Sequence, residues 1–415
     1  MDFNDTPEEA AFRAEARAWL EANAELADPH ETTRNLLSER EDPATIAEAQ
    51  AWQKKKAAAG WTCITWPKQH GGRGGTPIQQ VIWNQEEAKF KTPPNIFAIG
   101  LGMLGPTILT HGTEDQIARY IPKMVEGSEI WCQLFSEPGA GSDLAALRMS
   151  ATRDGDDWSL NGQKIWTTGA QFSRWGMIVT RTDPNVSKHA GLTYFIVDMK
   201  SPGIEIRPIR QINGGSGFNE VFFNDVRVPD GNRVGAVGDG WKVAITTLMH
   251  ERASIGSGSG RGTFKDLLRL ARETQIGGRP ALEDSTVRQK LADFYIAQRG
   301  LQYTSYRTLT ALSRGQTPGP EASIGKLVGA PLNQQMASFA CDLQGATGAL
   351  SDPAAAPQEA AWQDQFVSAP GLRLAGGTDE ILRNIIAERV LRLPPEPRLD
   401  KDVAFRDVPT GPANA

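Results

Sequence analysis

Residues 131–168 read WCQLFSEPGAGSDLAALRMSATRDGDDWSLNGQKIWTT. The stretch opens on an apolar run that enters a turn of small residues, Gly139-Ala140-Gly141-Ser142. Asp154-Gly155 and Asn161-Gly162 follow, two dipeptides that favour tight hairpins because the central residues of such turns need positive φ. RWGMIVTR, LTYFIVDM, IEIRPI and EVFFNDVRV then alternate with polar turns, and VRVPDGNRVG leads out. Residues 131–235 therefore predict a compact β domain.

Outward from this segment the period changes on both sides. Thr6-Pro7-Glu8-Glu9 offers a capping hydroxyl, a proline at the first helical position and a glutamate placed to close a capping box. Phe12, Ala16, Trp19 and Leu20 then share one helical face. Helical patterns recur over 44–59, 77–90 and 114–126, while 66–77 (WPKQHGGRGGTP) reads as a loop. They return from Gly240 to Leu393, in WKVAITTLMHERASIG, TFKDLLRLARET, VRQKLADFYIAQRGLQYTSYRTLTALS, IGKLVGAPLNQQMASFACDL and EILRNIIAERVL. The chain predicts an α+β fold: a helical N-terminal domain (1–130), the central β domain (131–235), a helical C-terminal domain (236–397) and a tail (398–415). The Pro- and Asp-rich composition after Pro394 predicts loose order there.

Composition narrows the function. The chain has 415 residues, 40% apolar and 22% charged, and a net charge of −5, which argues against nucleic acid as its main partner. Cys63, Cys132 and Cys341 show neither metal-ligand nor disulfide spacing, which fits a reducing, cytoplasmic setting. The acidic start MDFNDTPEEA reads as no export or transit signal, and no apolar run is long enough to span a membrane.

Two stretches carry chemistry. FSEPGAGSD (135–143) joins glycines, which let backbone approach a ligand, to the hydroxyl of Ser142. KIWTTGA (164–170) ends a strand with an aromatic and two hydroxyls, suited to a core or to the wall of a flat cofactor. LMHERASIG (248–256) raises a separate question. On a helix Ala244, Thr247, Leu248, Ser254, Ile255 and Gly258 stand around Glu251, all small or apolar, and Lys242 falls on the opposite side. A half-buried ion pair with Arg252 and a catalytic base in a pocket both fit a carboxylate so placed.

Taken in series, FSEPGAGSD, NGQKIWTTGA from Asn161, FNEVFFNDVRVP (218–229), GDGWKVA (238–244) and GGTDEILRNIIAERVL (376–391) resemble the acyl-CoA dehydrogenase family. The resemblance runs from near Asp5 to near Pro395. It implies a helical N-terminal domain, a central β domain and a C-terminal four-helix domain, with FAD held between the last two. It implies that Leu134, Ser136, Trp166 and Thr168 line the isoalloxazine ring. Gly377, Thr378 and Glu380 would lie at the flavin's other end, and Ser142 at the mouth of the acyl-CoA site. Arg272 resembles an arginine that reaches the FAD pyrophosphate of a neighbouring subunit, so the expected assembly is a homodimer or homotetramer. Gln275, Asp342 and Ala346 depart from the family's pattern around the adenine end.

The implied reaction takes a proton from the α-carbon of an acyl thioester while a hydride leaves the β-carbon, and it needs a carboxylate base. Much of the family carries a glutamate immediately before Gly-Thr at the start of the last long helix; here LAGGTDE (374–380) has Gly376. A subgroup including isovaleryl- and long-chain types places the glutamate on an earlier helix before an arginine, which LMHERASIG resembles. The resemblance thus assigns the base to Glu251 and a contact with Glu251 or CoA to Arg252. To Gly376 it leaves a backbone N–H for the thioester carbonyl. It also implies transfer of electrons to an electron-transfer flavoprotein. An oxidase on the same fold, and a non-catalytic subunit paired with an active homologue, are the competing readings. Ala375-Gly376-Gly377 permits a bulky acyl group without specifying one.

Overall fold

The computed structural model describes residues 5–27, 42–255, 263–314, 319–395, 397, 400 and 402–408. In chain order the helices of the first third are α1 (Pro7–Glu21), α2 (Pro43–Ala58), α3 (Pro77–Glu87), α4 (Gly105–His111) and α5 (Glu114–Glu126). The strands are β1 (Trp131–Leu134), β2 (Ser150–Asp154), β3 (Asp157–Thr168), β4 (Trp175–Arg181), β5 (Leu192–Asp198), β6 (Ile204–Ile209), β7 (Phe218–Pro229) and β8 (Arg233–Val234). Then come α6 (Gly240–Ile255), α7 (Phe264–Glu273), the hairpin β9 (Gln275–Ile276) and β10 (Arg279–Pro280), α8 (Ser285–Ser313), α9 (Ser323–Leu343), α10 (Ala361–Leu372) and α11 (Asp379–Ile385). The helix α4 and the helix α10 have no counterpart in the sequence reading. Among the described residues no helix is long and apolar enough to cross a membrane.

Local chemistry fixes the helix starts. Thr6, Thr76, Thr113 and Thr263 each cap a helix by accepting a backbone N–H at the hydroxyl, and each donates its own backbone N–H to the side-chain oxygen three residues on. The chain gathers into two compact units. One holds α1, α3 and the elements from α7 onward; the other holds α2, α4, α5, the eight-stranded sheet and α6. In the first unit α7, α8, α9 and α10 share a core of Leu267, Leu270, Leu291, Phe294, Met336 and Trp362. There Arg13 and Arg17 of α1 and Lys89 converge on the buried Glu86 of α3. Burial pushes that carboxyl up, but the three cations outweigh it and bring it down to about 2.

In the second unit the strand order is β6-β7-β3-β2-β4-β5-β8, with β1 pairing parallel to β4. Strand β4 is buried at every position, so its alternate side chains serve two cores. Met177 and Val179 join Tyr194, Ile196 and Trp131 with the helices; Ile178 joins Phe195, Val197, Cys132 and Leu134 on the other face. This alternation matters below, because it sends Gln133 to the same face as Trp131.

Two sequence expectations are corrected. Asp154-Gly155 does turn a hairpin between β2 and β3, but Asn161-Gly162 does not: it lies inside β3, at a shift of register against β7. Gly162 has φ +140° there, and a Cβ would stand 3.0 Å from Met149 Cα, so glycine answers a close backbone approach rather than a turn. The segment after Pro394 is also more than a loose tail. Phe405 is 4% exposed, and its ring centroid lies 3.4 Å from the guanidinium carbon of Arg181 and 5.1 Å from that of Arg148. The Phe405 and Arg406 N–H groups donate to Val186 and Pro184 carbonyls. Composition misses this because one buried aromatic over two cations outweighs a polar neighbourhood.

Phe405→Ala is expected to release this segment. Tryptic cleavage after Arg406 should accelerate by about 10-fold or more, since local opening governs such cleavage. An unchanged cleavage rate would show that the ring does not hold the segment.

Candidate active site

The residues singled out by sequence sort onto the two units. Leu134, Ser136, Ser142, Trp166, Thr168 and Glu251 belong to the unit with the sheet; Arg272, Gly376, Gly377, Thr378 and Glu380 belong to the other. Each group is built by its own local chemistry.

The turn after β1 is anchored from beneath. Glu137 accepts the backbone N–H of Arg148 at 2.6 Å and of Met149 at 3.0 Å. It also accepts Lys164 Nζ at 2.9 Å, and Lys164 donates a second bond to Phe135 O at 3.0 Å. Lys164 is fully buried. Burial pushes its ammonium below the usual lysine range, with Glu137 pulling the other way. Ile165 N–H donates to Ser136 O at 2.9 Å, tying the same turn to β3. Ser142 is exposed at the far side of the turn, and its neighbour Asp143 pairs with Lys188 at 2.9 Å.

Strand β3 loses register against β7 between Lys164 and Thr167. The irregularity places Trp166 at φ +61°, in the left-handed region, and leaves it 56% exposed, braced edge-on by Phe218 at 5.9 Å. A bulky side chain held in that conformation is strained, and such strain gathers at functional sites. Thr168, half-buried, pairs with Phe218 one step on. The Leu134 side chain is enclosed in the second core, so backbone is the part it presents.

Glu251 is half-buried on α6 and accepts a bond from Gln133 Nε2 at 3.1 Å. Thr247 stands one turn earlier. Its hydroxyl meets Tyr194 Oη at 3.1 Å and Thr107 Oγ1 at 2.9 Å, and Thr107 donates to Met103 O at 2.8 Å. Burial, with the nearby charge of Glu251 adding to it, pushes the Tyr194 phenol well above its ordinary value, so it stays neutral. Ala244 and Thr247 are fully buried beside it, as their positions on the helix predict. The side chains of Arg252, Ser254 and Ile255, and all of Gly258, lie outside the described residues. Sequence reasoning missed Gln133, although a lone glutamine in WCQL, on the buried strand β1, was a usable signal.

On the other unit Gly376 and Gly377 take φ +65° and +99°. Successive left-handed glycines turn peptide N–H groups outward without a Cβ in the way. Arg373 pairs with the buried Asp379 at 2.6 Å, and Lys326 donates to Gly377 O, so the turn is pinned on both sides. Thr378 caps α11 by accepting Ile381 N–H at 3.3 Å. Glu380 is exposed; its own backbone N–H and the Thr378 hydroxyl hold its carboxyl below the usual range. Arg272 is exposed at the end of α7, just before the β9–β10 hairpin.

These residues fit a flavin dinucleotide. Among the described residues Gln133 Oε1 is a buried acceptor without a protein partner, which suits a group that carries N–H and O–H donors. Trp166 offers an exposed aromatic face, and a Cβ at Gly139 or Gly141 would meet nothing within 4 Å.

Three family models match the chain in series. They describe the N-terminal domain of acyl-CoA dehydrogenase over residues 6–128, its middle domain over 132–226 and its C-terminal domain over 238–391. The chain is 38% identical to the acyl-CoA dehydrogenase IpdE1 of Mycobacterium tuberculosis, over 93% of this chain and 98% of that protein. Among solved structures it is similar to the Tcur3481-Tcur3483 steroid ACAD, with TM-score 0.79, 26% identity and coverage of 95% and 100%. It is also similar to the ChsE4-ChsE5 complex of Mycobacterium tuberculosis, with TM-score 0.78, 28% identity and coverage of 95% and 100%.

Glu137→Ala is expected to strand a buried ammonium and two backbone donors, at a cost of about 3–5 kcal/mol. The readout is a lower thermal midpoint, and adding Lys164→Met should restore part of it. Equal midpoints for Glu137→Ala and wild type would show that the pair does not hold the turn.

Proposed function

The chain belongs to the acyl-CoA dehydrogenase family of flavoprotein oxidoreductases, and from that premise we propose that it dehydrogenates the α,β bond of an acyl-CoA with Glu251 as base. The observation that carries this reading is the pairing of two facts: position 376 is a glycine, and a half-buried carboxylate at 251 is held by Gln133. FAD bound to this chain would accept the hydride equivalent from the β-carbon and pass the electrons to an electron-transfer flavoprotein.

The protein's own groups do the rest. Glu251 takes the α-proton onto its carboxylate. The Gly376 N–H donates to the thioester oxygen, which gains charge as that proton leaves. Leu134 through its backbone, with Ser136, Trp166 and Thr168, would hold the flavin ring, and Gly377, Thr378 and Glu380 would hold another part of the cofactor. Ser142 and Arg252 contact the CoA arm. The domains are 1–130, 131–235 and 236–397, with the tail from 398, and the setting is cytoplasmic.

The substrate is a bulky, ring-bearing acyl-CoA. Two features support this. Ala375, Gly376 and Gly377 bring little side-chain bulk, and one of the similar structures is a steroid ACAD. A panel of butyryl-, isovaleryl-, octanoyl-, cyclohexanecarbonyl- and steroid-side-chain CoA thioesters, with a dye acceptor, ranks the candidates.

A second reading has its own support. Both similar structures carry paired names, and Gly376 removes the carboxylate that much of the family uses. In that reading the chain is a non-catalytic partner of a homologous subunit, and it would purify alone without flavin.

Glu251→Gln keeps size and hydrogen bonding but removes the proton acceptor. Flavin reduction by the best thioester of the panel should fall by about 10²–10⁴-fold while the thioester still binds. Normal reduction in this variant removes Glu251 from the mechanism.

The assembly is a homodimer or a dimer of such dimers, and Arg272 reaches the cofactor of the neighbouring subunit as a fork donor to phosphate. Arg272→Ala should lower the FAD content of the purified protein, read from its visible spectrum, with the fold intact. Full FAD retention in a monomer would contradict this.

A further inference from the structure

We propose that Gln133 is a positioning residue for the base: its amide donates to Glu251, keeps that carboxylate aimed from α6 towards the sheet, and favours its ionised form. The inference rests on the reading of Glu251 as base.

Strand alternation delivers Gln133 to the place. Cys132 and Leu134 are enclosed in the core on one face of the sheet, while Trp131 joins the core on the other. Gln133 therefore shares the face of Trp131, against which Val243, Ala244 and Leu248 of α6 also pack. Its partner on β4 is Met177, and Gln133 is the one half-buried position of β1 beside a strand buried at every position.

The chemistry of the contact has a sign. A glutamine amide offers a donor at one end and an acceptor at the other. Nε2 faces Glu251 Oε2 at 3.1 Å, and among the described residues Oε1 is the end without a protein partner. Reversing the amide would set oxygen against the carboxylate, which is attractive for a protonated acid alone. The observed arrangement is the one an ionised base prefers, and a donor to the charged form lowers the affinity of that form for protons.

Other groups near Glu251 differ in what they offer. Tyr194 approaches from β5, but its hydroxyl is engaged with Thr247 and its phenol stays neutral. Along α6, His250 and Arg252 flank Glu251 in sequence; burial holds the His250 imidazole below its usual value, towards the neutral form.

The test uses the FAD-loaded enzyme and anaerobic stopped-flow reduction by the fastest thioester of the panel, across pH. Gln133→Leu should move the rising limb of the rate upward by about one pH unit. Below that limb the rate should then fall about 10-fold, with the high-pH plateau changed by less than about 3-fold. Gln133→Glu, of the same shape, should move the limb further, because a second carboxylate opposes ionisation. It also keeps the test open if the leucine variant does not fold. Limbs unmoved in both variants, with Glu251→Gln inactive, would overturn the positioning role and leave the base in place. Loss of thermal stability or FAD content with an unmoved limb would show a packing role instead. Reduction at the normal rate by Glu251→Gln would remove both.

Discussion

Lys164 lies wholly inside the protein, and an ammonium there must be answered by a nearby carboxylate. Glu137 answers it at 2.9 Å while also accepting the N–H groups of Arg148 and Met149. A single carboxylate thereby binds together the end of β1, the start of β2 and the middle of β3. The turn that carries Ser142 and the irregularity that exposes Trp166 sit at either end of this arrangement. A turn of glycines would by itself be loose; here its first residue after Ser136 is fixed by three bonds. Rigidity at the base of the turn lets its glycines stay open at the top.

The sheet beneath has a division of labour set by a period of two. Strands β4 and β5 are buried on both faces, so every side chain chooses one of two cores. Gln133 and Tyr194 are polar groups on the helix-facing side, where Thr247 and Thr107 of the helices also stand. Three of them satisfy one another through hydroxyl contacts, and Gln133 turns to Glu251. A buried polar cluster is costly unless its members are paired, so its presence at this place points to the chemistry rather than to stability.

On the other unit the same economy is reached with backbone. Gly376 and Gly377 occupy a conformation that costs residues with a Cβ about 1–2 kcal/mol. Arg373, Asp379 and Lys326 hold the turn in place around them. A carboxylate at position 376 would have to bear that conformation; one on α6 is carried by ordinary helical geometry.

Much of this protein was written locally. The capping hydroxyl of Thr6, the helical stripes and the strand-like runs from Trp175 to Val228 each depend on neighbours in sequence, and each element formed where its pattern predicted. The series of motifs from FSEPGAGSD to GGTDEILRNIIAERVL identified the family for the same reason: it is a property of order along the chain. What the sequence left undecided depends on atoms that meet from distant positions. Asn161-Gly162 has the letters of a turn, but the approach of Met149 made it part of a strand. Phe405 sits in a polar tail, and only the convergence of Arg148 and Arg181 makes a place for it. Gln133 and Glu251 lie 118 residues apart, and no local period links them. Propensity acts over a few residues, whereas a buried charge or amide is satisfied by whichever partner the folded chain brings within about 3 Å, and that partner is chosen by tertiary packing.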